Sequence, residues 1–250
     1  MRQALSMEFY KCRRRRIPLV CLGMILVQLA WIGAVLLRMD PEEFAQGWQW
    51  LLYNLMLLDA ITMPVTAGTL ASRSCDLEHK GAGLKLLETL LPAGRLYSAK
   101  LCWGALVLFL TLAVRSLLLA ALGLAYGFPG AVPWGRFAQA FLVSFLVSLT
   151  IYVLQQDLSL LFKNQAVALA TAIFGSFVGL LSMLFPVWVQ RLVLWGYYGV
   201  MSPVGMDWDP ETRFSAYYWI NLDGTGLLLT ALWFAALFLA GRALFIKKEV

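Results

Sequence analysis

Along the chain, apolar residues gather into six long runs: Ile17–Leu37, Trp48–Ala71, Leu101–Leu124, Phe137–Leu154, Ala166–Phe185 and Thr225–Ile246. A helix rising about 1.5 Å per residue needs about 20 such residues to cross ~30 Å of hydrocarbon, and each run is close to that length. The pattern predicts an all-α integral membrane protein with six transmembrane helices. Residues 1–16 then form a basic, amphipathic N-terminal segment, 17–246 the six-helix domain, and 247–250 a tail. The run from Ile17 is too long for the apolar region of a signal peptide, and no small-x-small cleavage site follows, so it reads as the first span.

Composition agrees: 61% of the 250 residues are hydrophobic and 14% charged, against about 45–50% and 25% in a soluble domain. With 14% aromatics the chain is not disordered either. Charge supplies an orientation. If the N-terminus is cytoplasmic, 15 of the 20 Lys and Arg residues fall on the inside, while acidic residues divide almost evenly. This bias predicts that both termini face the cytosol. The net charge of +6 then reflects anchors beside anionic membrane lipid, and no nucleic acid is implied. Arg13–Arg16 read either as such an anchor or as a site for a specific lipid. Cys12, Cys21, Cys75 and Cys102 fall on or near the cytoplasmic side, where no disulfide is expected.

Little in the sequence supports catalysis. A single histidine, His79, excludes a histidine-rich zinc site and the H-E-x-x-H motif, and there is no G-x-x-x-x-G-K-[ST] phosphate loop. No catalytic, cofactor-binding or metal-binding residue is assigned. The carboxylates Glu42 and Glu43 lie outside the first span and read as an ordinary polar loop.

Two charges lie within the predicted spans. Counted along their helices, Asp59 and Arg115 are both about 14–17 Å from the outer surface. Consecutive antiparallel helices are usual neighbours, so the two are expected to face each other. Such a pair either fixes the register of two helices or lines a polar path for a substrate. In the fifth run, Gly175 and Gly179 form a G-x-x-x-G that admits close helix packing, within the chain or between subunits.

The longest cytoplasmic loop, 72–100, holds a short amphipathic helix with Leu84, Leu87, Leu90 and Leu91 on one face and Lys85 and Glu88 on the other, broken by Pro92 and Gly94. Tyr97 and Lys100 read as anchors of the next span. In this loop the chain resembles the membrane subunits of type-2 ABC exporters. The resemblance rests on an acidic-x-Glu-His start at Asp76, Glu78 and His79, then Lys85, Leu91-Pro92, Arg95, Tyr97 and Lys100. It departs at Gly83-Leu84, where relatives often carry a Trp before the Lys. Within the family the chain most resembles lantibiotic-immunity permeases, which share a Glu-Phe-x-Lys and basic start, here Glu8, Phe9, Lys11 and Arg13–Arg16. Met7 is an alternative start.

The resemblance implies a transport subunit, not an enzyme, in a bacterial plasma membrane. ATP would be bound by separate ABC ATPase subunits, and this chain would carry no cofactor. A second six-span permease, identical or homologous, would complete the complex. The 72–100 loop would couple to the ATPase, with Asp76, Glu78, His79, Lys80, Lys85 and Arg95 as charged contacts and the loop 155–164 as a second contact. The expected substrate is an amphipathic peptide such as a lantibiotic, expelled from the membrane for self-protection. The alternatives are another antibiotic or a lipid, or a non-transporting membrane scaffold or sensor.

The external segment 186–223 is unusual for a loop in its aromatic content, which includes Trp188, Trp195, Tyr197, Tyr198 and Trp219. It is expected to form short helices at the outer interface, as a belt or as a lip for an amphipathic substrate.

Overall fold

A computed structural model describes residues 2–12, 16–79, 92–211 and 214–249. Helix α1 (Arg2–Cys12) leads into α2 (Ile17–Leu36). Arg16, at φ 53°, occupies the left-handed region at the start of α2, and Pro18 sits in the first turn, where its missing N–H costs nothing. Short α3 (Pro41–Ala45) carries Glu42 and Glu43, so these carboxylates lie on a helical turn and not in an irregular loop. The long helices are α4 (Gly47–His79), α5 (Ala93–Tyr126) and α6 (Trp134–Leu161), followed by α7 (Ala166–Ser182) and, last, α10 (Gly224–Glu249).

Among the described residues five helices are long and apolar enough to cross a membrane: Ile17–Leu36, Gly47–Asp76, Ala93–Tyr126, Trp134–Leu161 and Gly224–Lys247. The predicted fifth span is shorter than expected. It stops at Ser182, and 17 residues make about 25 Å of helix, short of ~30 Å of hydrocarbon.

Helix α4 is the hub, packed against α6 and α7 on one side and α2 on another, while α10 lies on α6 and α5. Its interior Pro64 withholds one backbone N–H from the ladder. Around it, Thr62, Thr66 and Thr69 each return a hydroxyl proton to the carbonyl four residues earlier, at 2.8 Å, so these side chains are satisfied without water. At its N-terminal end Trp48 meets the rings of Phe128 and Phe137 edge-on. Phe128 can lie there because α5 ends at Gly127, φ 77°, a conformation glycine adopts freely, and the Phe128 N–H then bonds back to the Gly123 carbonyl at 3.1 Å.

Between α7 and α10 the expected short helices occur only in the first half: α8 (Val187–Gln190), a 3₁₀ turn (Leu194–Gly196) and α9 (Tyr197–Val200). The second half is an antiparallel hairpin of β1 (Val204–Trp208) and β2 (Ser215–Trp219), with Met206 opposite Tyr217. The hairpin is tied down by the Tyr217 N–H, which donates to Gln46 Oε1 at 2.7 Å, and by Arg136, whose Nη1 donates to the Ile220 carbonyl at 2.7 Å and whose guanidinium lies 5.4 Å from the Trp219 ring.

Two further readings are corrected. Helix α4 runs on to His79 and α5 begins at Ala93, so 72–79 and 93–100 are helical; the leucine-faced stretch lies outside the described residues. The predicted loop 155–164 is helical through Leu161, which places Gln155, Gln156 and Asp157 inside the bundle.

Candidate functional site

Two polar centres are buried in this apolar bundle. The first lies where α2, α4, α5 and α6 meet. Asp59 and Arg115 are both buried and in contact, Arg115 Nη1 donating to Asp59 Oδ1. Gln28 Nε2 donates to the same oxygen at 3.0 Å and to Thr62 Oγ1 at 2.6 Å. Ser144 Oγ donates to Asp59 Oδ2 and accepts from Arg115 Nη2 at 3.3 Å. One carboxylate thus receives three donors from three helices, which offsets the ~2.5–3.5 kcal/mol that each isolated charge costs at mid-membrane. Arg115 Nε is buried with no hydrogen-bond partner among the described residues. One turn further along α6, Ser148 shares a hydrogen bond of 2.9 Å with the buried hydroxyl of Tyr198.

The second centre lies toward the other end of α4, around Lys100. This side chain is fully buried and does not snorkel to an interface. Its Nζ donates to Glu8 Oε2 of α1 at 3.1 Å and to the Ser74 carbonyl of α4 at 2.9 Å. Lys11 holds the other oxygen of Glu8 at 3.2 Å. From α6, Tyr152 OH donates to the Lys100 carbonyl at 3.3 Å, and its ring fills the space that Gly104 leaves on α5. One turn before Lys100, the buried Tyr97 donates to Asp157 Oδ1 at 2.7 Å, and Gln156 Nε2 donates to the Tyr97 carbonyl at 3.3 Å. Asp157 in turn lies against Gly241 of α10, where any Cβ would collide with its carboxylate.

The Ser144 hydroxyl is bound to a carboxylate that Arg115 and Gln28 also hold, and the described residues contain no group of three or more His, Cys, Asp and Glu able to hold a metal ion. Ser74 precedes the segment joining α4 to α5, and Tyr97 and Lys100 follow it. The α5 end of that segment is therefore fastened to α1 and α6, with Asp157 resting on α10, and the α4 end is fastened to α5 through the Ser74 carbonyl.

The remaining predicted residues are scattered. Asp76 is half-buried, Arg95 is exposed in the first turn of α5, and Glu78 and His79 lie in the last turn of α4. Lys80 and Lys85 fall outside the described residues. Gly175 and Gly179 both receive Trp195, whose ring and backbone occupy the space a Cβ would need. The external aromatics share no common face: Trp188 is exposed, Tyr197 and Tyr198 are buried, and Trp219 is partly covered beneath Arg136. Sequence reasoning missed Gln28, Ser144 and the Glu8–Lys100 pair. Gln28 left a trace, as the one amide in α2.

Near the hairpin end, Arg191 Nη2 donates to Asp223 Oδ2 at 2.7 Å, and Asp223 Oδ1 caps α10 by accepting the Thr225 N–H at 3.0 Å. Burial pushes the Asp223 carboxyl up, but the bonds from Arg191, Gly226 and Thr225 outweigh it and hold the group below its ordinary value.

No curated protein matches the chain. Residues 4–179 match the ABC-2 family transporter protein family. That span takes in α1 from its third residue, both polar centres except Tyr198 and the α10 contact of Asp157, and α7 as far as Gly179. The chain therefore belongs to the ABC-2 family of transporter membrane proteins.

Proposed function

We propose that this chain is the permease subunit of an ATP-driven exporter, acting with separate ABC ATPase subunits and a second permease, identical or homologous. The observation that carries the reading is the double fastening of the α4–α5 connection, on a chain of this family that has no phosphate loop of its own. An ATPase pressing on residues 80–91 would move α4 and α5 together, and through Glu8, Tyr152 and Asp157 would carry α1, α6 and α10 as a body. The Lys/Arg bias supports placing that connection and both termini in the cytosol. With α7 counted as a short sixth span, an even number of crossings returns the chain to the side it started from.

The proposed substrate is an amphipathic peptide of the lantibiotic kind, taken from the membrane and released outward to protect the cell. The reading is supported by the similarity of the N-terminal Glu8-Phe9-x-Lys11 and basic run to lantibiotic-immunity permeases. Co-expression with a phosphate-loop ATPase tests it. The complex is expected to co-purify, to hydrolyse ATP and to raise the survival of cells challenged with a lantibiotic. Replacing 84–91 by a Gly/Ser linker is expected to abolish both docking and protection. A chain that purifies alone and binds no such ATPase defeats the reading.

A further inference from the structure

Beyond the contact of α1 with α5, the three helices α1, α2 and α5 leave an opening between them. Between α1, α2 and α5 lies a mostly apolar groove of 540 Å³, walled by Phe9, Cys12, Pro18, Trp103 and Val107, with Ser6 and Tyr10 as its hydroxyl-bearing residues. Past Pro18 and Val107 it continues as a furrow of 300 Å³ between α2 and α5, over Cys21, Ile25 and Thr111. Tyr10 at 76%, Leu110 at 54% and Leu22 at 47% exposure show that it opens sideways, in the direction that faces hydrocarbon.

Its chemistry selects the occupant. Thr111 is the one hydroxyl lining the furrow, and it is spent on the Val107 carbonyl at 2.7 Å. A peptide laid along the furrow in extended form would bring a row of amides to walls that cannot pair them, whereas an acyl chain brings none. The sequence directly before the wall residue Ile17 is basic. Arg16, directly before the wall residues Ile17 and Pro18, is exposed, and three more arginines precede it in sequence. Lys11 is already engaged with Glu8.

We propose that the groove binds one anionic phospholipid, an acyl chain lying along α2 and α5 and the phosphate paired with Arg16. Lipid there would lie against Phe9 and Cys12 of α1 and Trp103 of α5.

Photolabelling tests this. The purified chain is reconstituted in phosphatidylcholine vesicles doped with phosphatidylglycerol carrying a diazirine at the end of one acyl chain, and adducts are mapped by mass spectrometry. Adducts are expected to concentrate on residues 18–25 and 107–114 and to be competed by unlabelled phosphatidylglycerol in preference to phosphatidylcholine. Arg16→Gln should lower that preference about fivefold, the worth of one basic residue beside an anionic lipid, while acyl labelling persists. Val107→Trp, which fills the groove, and Cys21→Phe, which fills only the furrow, should abolish labelling there. Adducts spread evenly over exposed apolar residues such as Leu228 and Leu239 would overturn the proposal. So would equal competition by the two lipids, or displacement of the label by an amphipathic peptide or by dimerisation of the chain.

Discussion

The cost of burying a charge is set by the last partner it keeps. Asp59 has three donors, so Asp59→Asn would remove the charge that balances Arg115 and strand a guanidinium among apolar helices. The expected loss is about 3–5 kcal/mol, read as a lower unfolding temperature in detergent. Arg115→Gln strands the carboxylate but leaves Gln28 and Ser144 to solvate it, so its loss should be the smaller of the two. The double variant replaces an ion pair by two amides and is expected to recover much of the loss, a coupling that a double-mutant cycle measures directly. A cycle in which the two losses simply add would show that the pair is not what holds α4 and α5 in register. Asp59 and Arg115 were legible in the sequence because charges are rare enough in apolar runs for a matched depth to mean something. Gln28 and Ser144 were not, since uncharged polar residues at span positions carry no sign by which to match them.

At the scale of elements, α7 and the segment after it show how a motif is used. Gly175 and Gly179 face Trp195 of the same chain, so the G-x-x-x-G is filled from within. Gly175→Leu is expected to expel the indole and cost about 1–3 kcal/mol as overpacking, with no change in oligomeric state by crosslinking in vesicles. The N-terminus of α10 offers a pH-dependent counterpart. Because the folded Asp223 carboxyl titrates below its ordinary value, its cap contributes fully above about pH 4 and fades as pH falls through the depressed folded value. Asp223→Asn keeps a capping oxygen, worth about 1 kcal/mol, but cannot titrate. The stability advantage of wild type over this variant is expected to be constant in neutral solution and to shrink on strong acidification, followed by thermal unfolding. The hairpin escaped sequence reading because Tyr and Trp favour strands and membrane interfaces alike, so the aromatic signal could not separate them. The end of α6 escaped for a different reason. Gln155, Gln156 and Asp157 break the apolar run but not the helical spacing, and their polar groups turn inward, Gln156 and Asp157 meeting Tyr97.

For the whole molecule, the question is how a push at one end reaches the rest. The charges of the α4–α5 connection are visible in sequence as a motif, but its fastening depends on residues as distant as Glu8 and Lys100, which only the packing of α1 against α5 brings together. Lys100→Met keeps the stem of the side chain while deleting the donors to Glu8 and to the Ser74 carbonyl. Glu8 retains Lys11 as a partner, so the variant should fold, at a cost nearer the ~1.5–3 kcal/mol of a lost charged hydrogen bond than that of an orphaned buried charge. Because the connecting segment itself is untouched, ATPase docking and ATP hydrolysis are expected to persist. The movement of α1 with α5 is not, so substrate exported per ATP hydrolysed should fall severalfold. Measuring transport and hydrolysis together in reconstituted vesicles separates the outcomes. A matched fall in both would place Lys100 in the docking surface, and unchanged export would mean that α1 plays no part in transmitting the stroke.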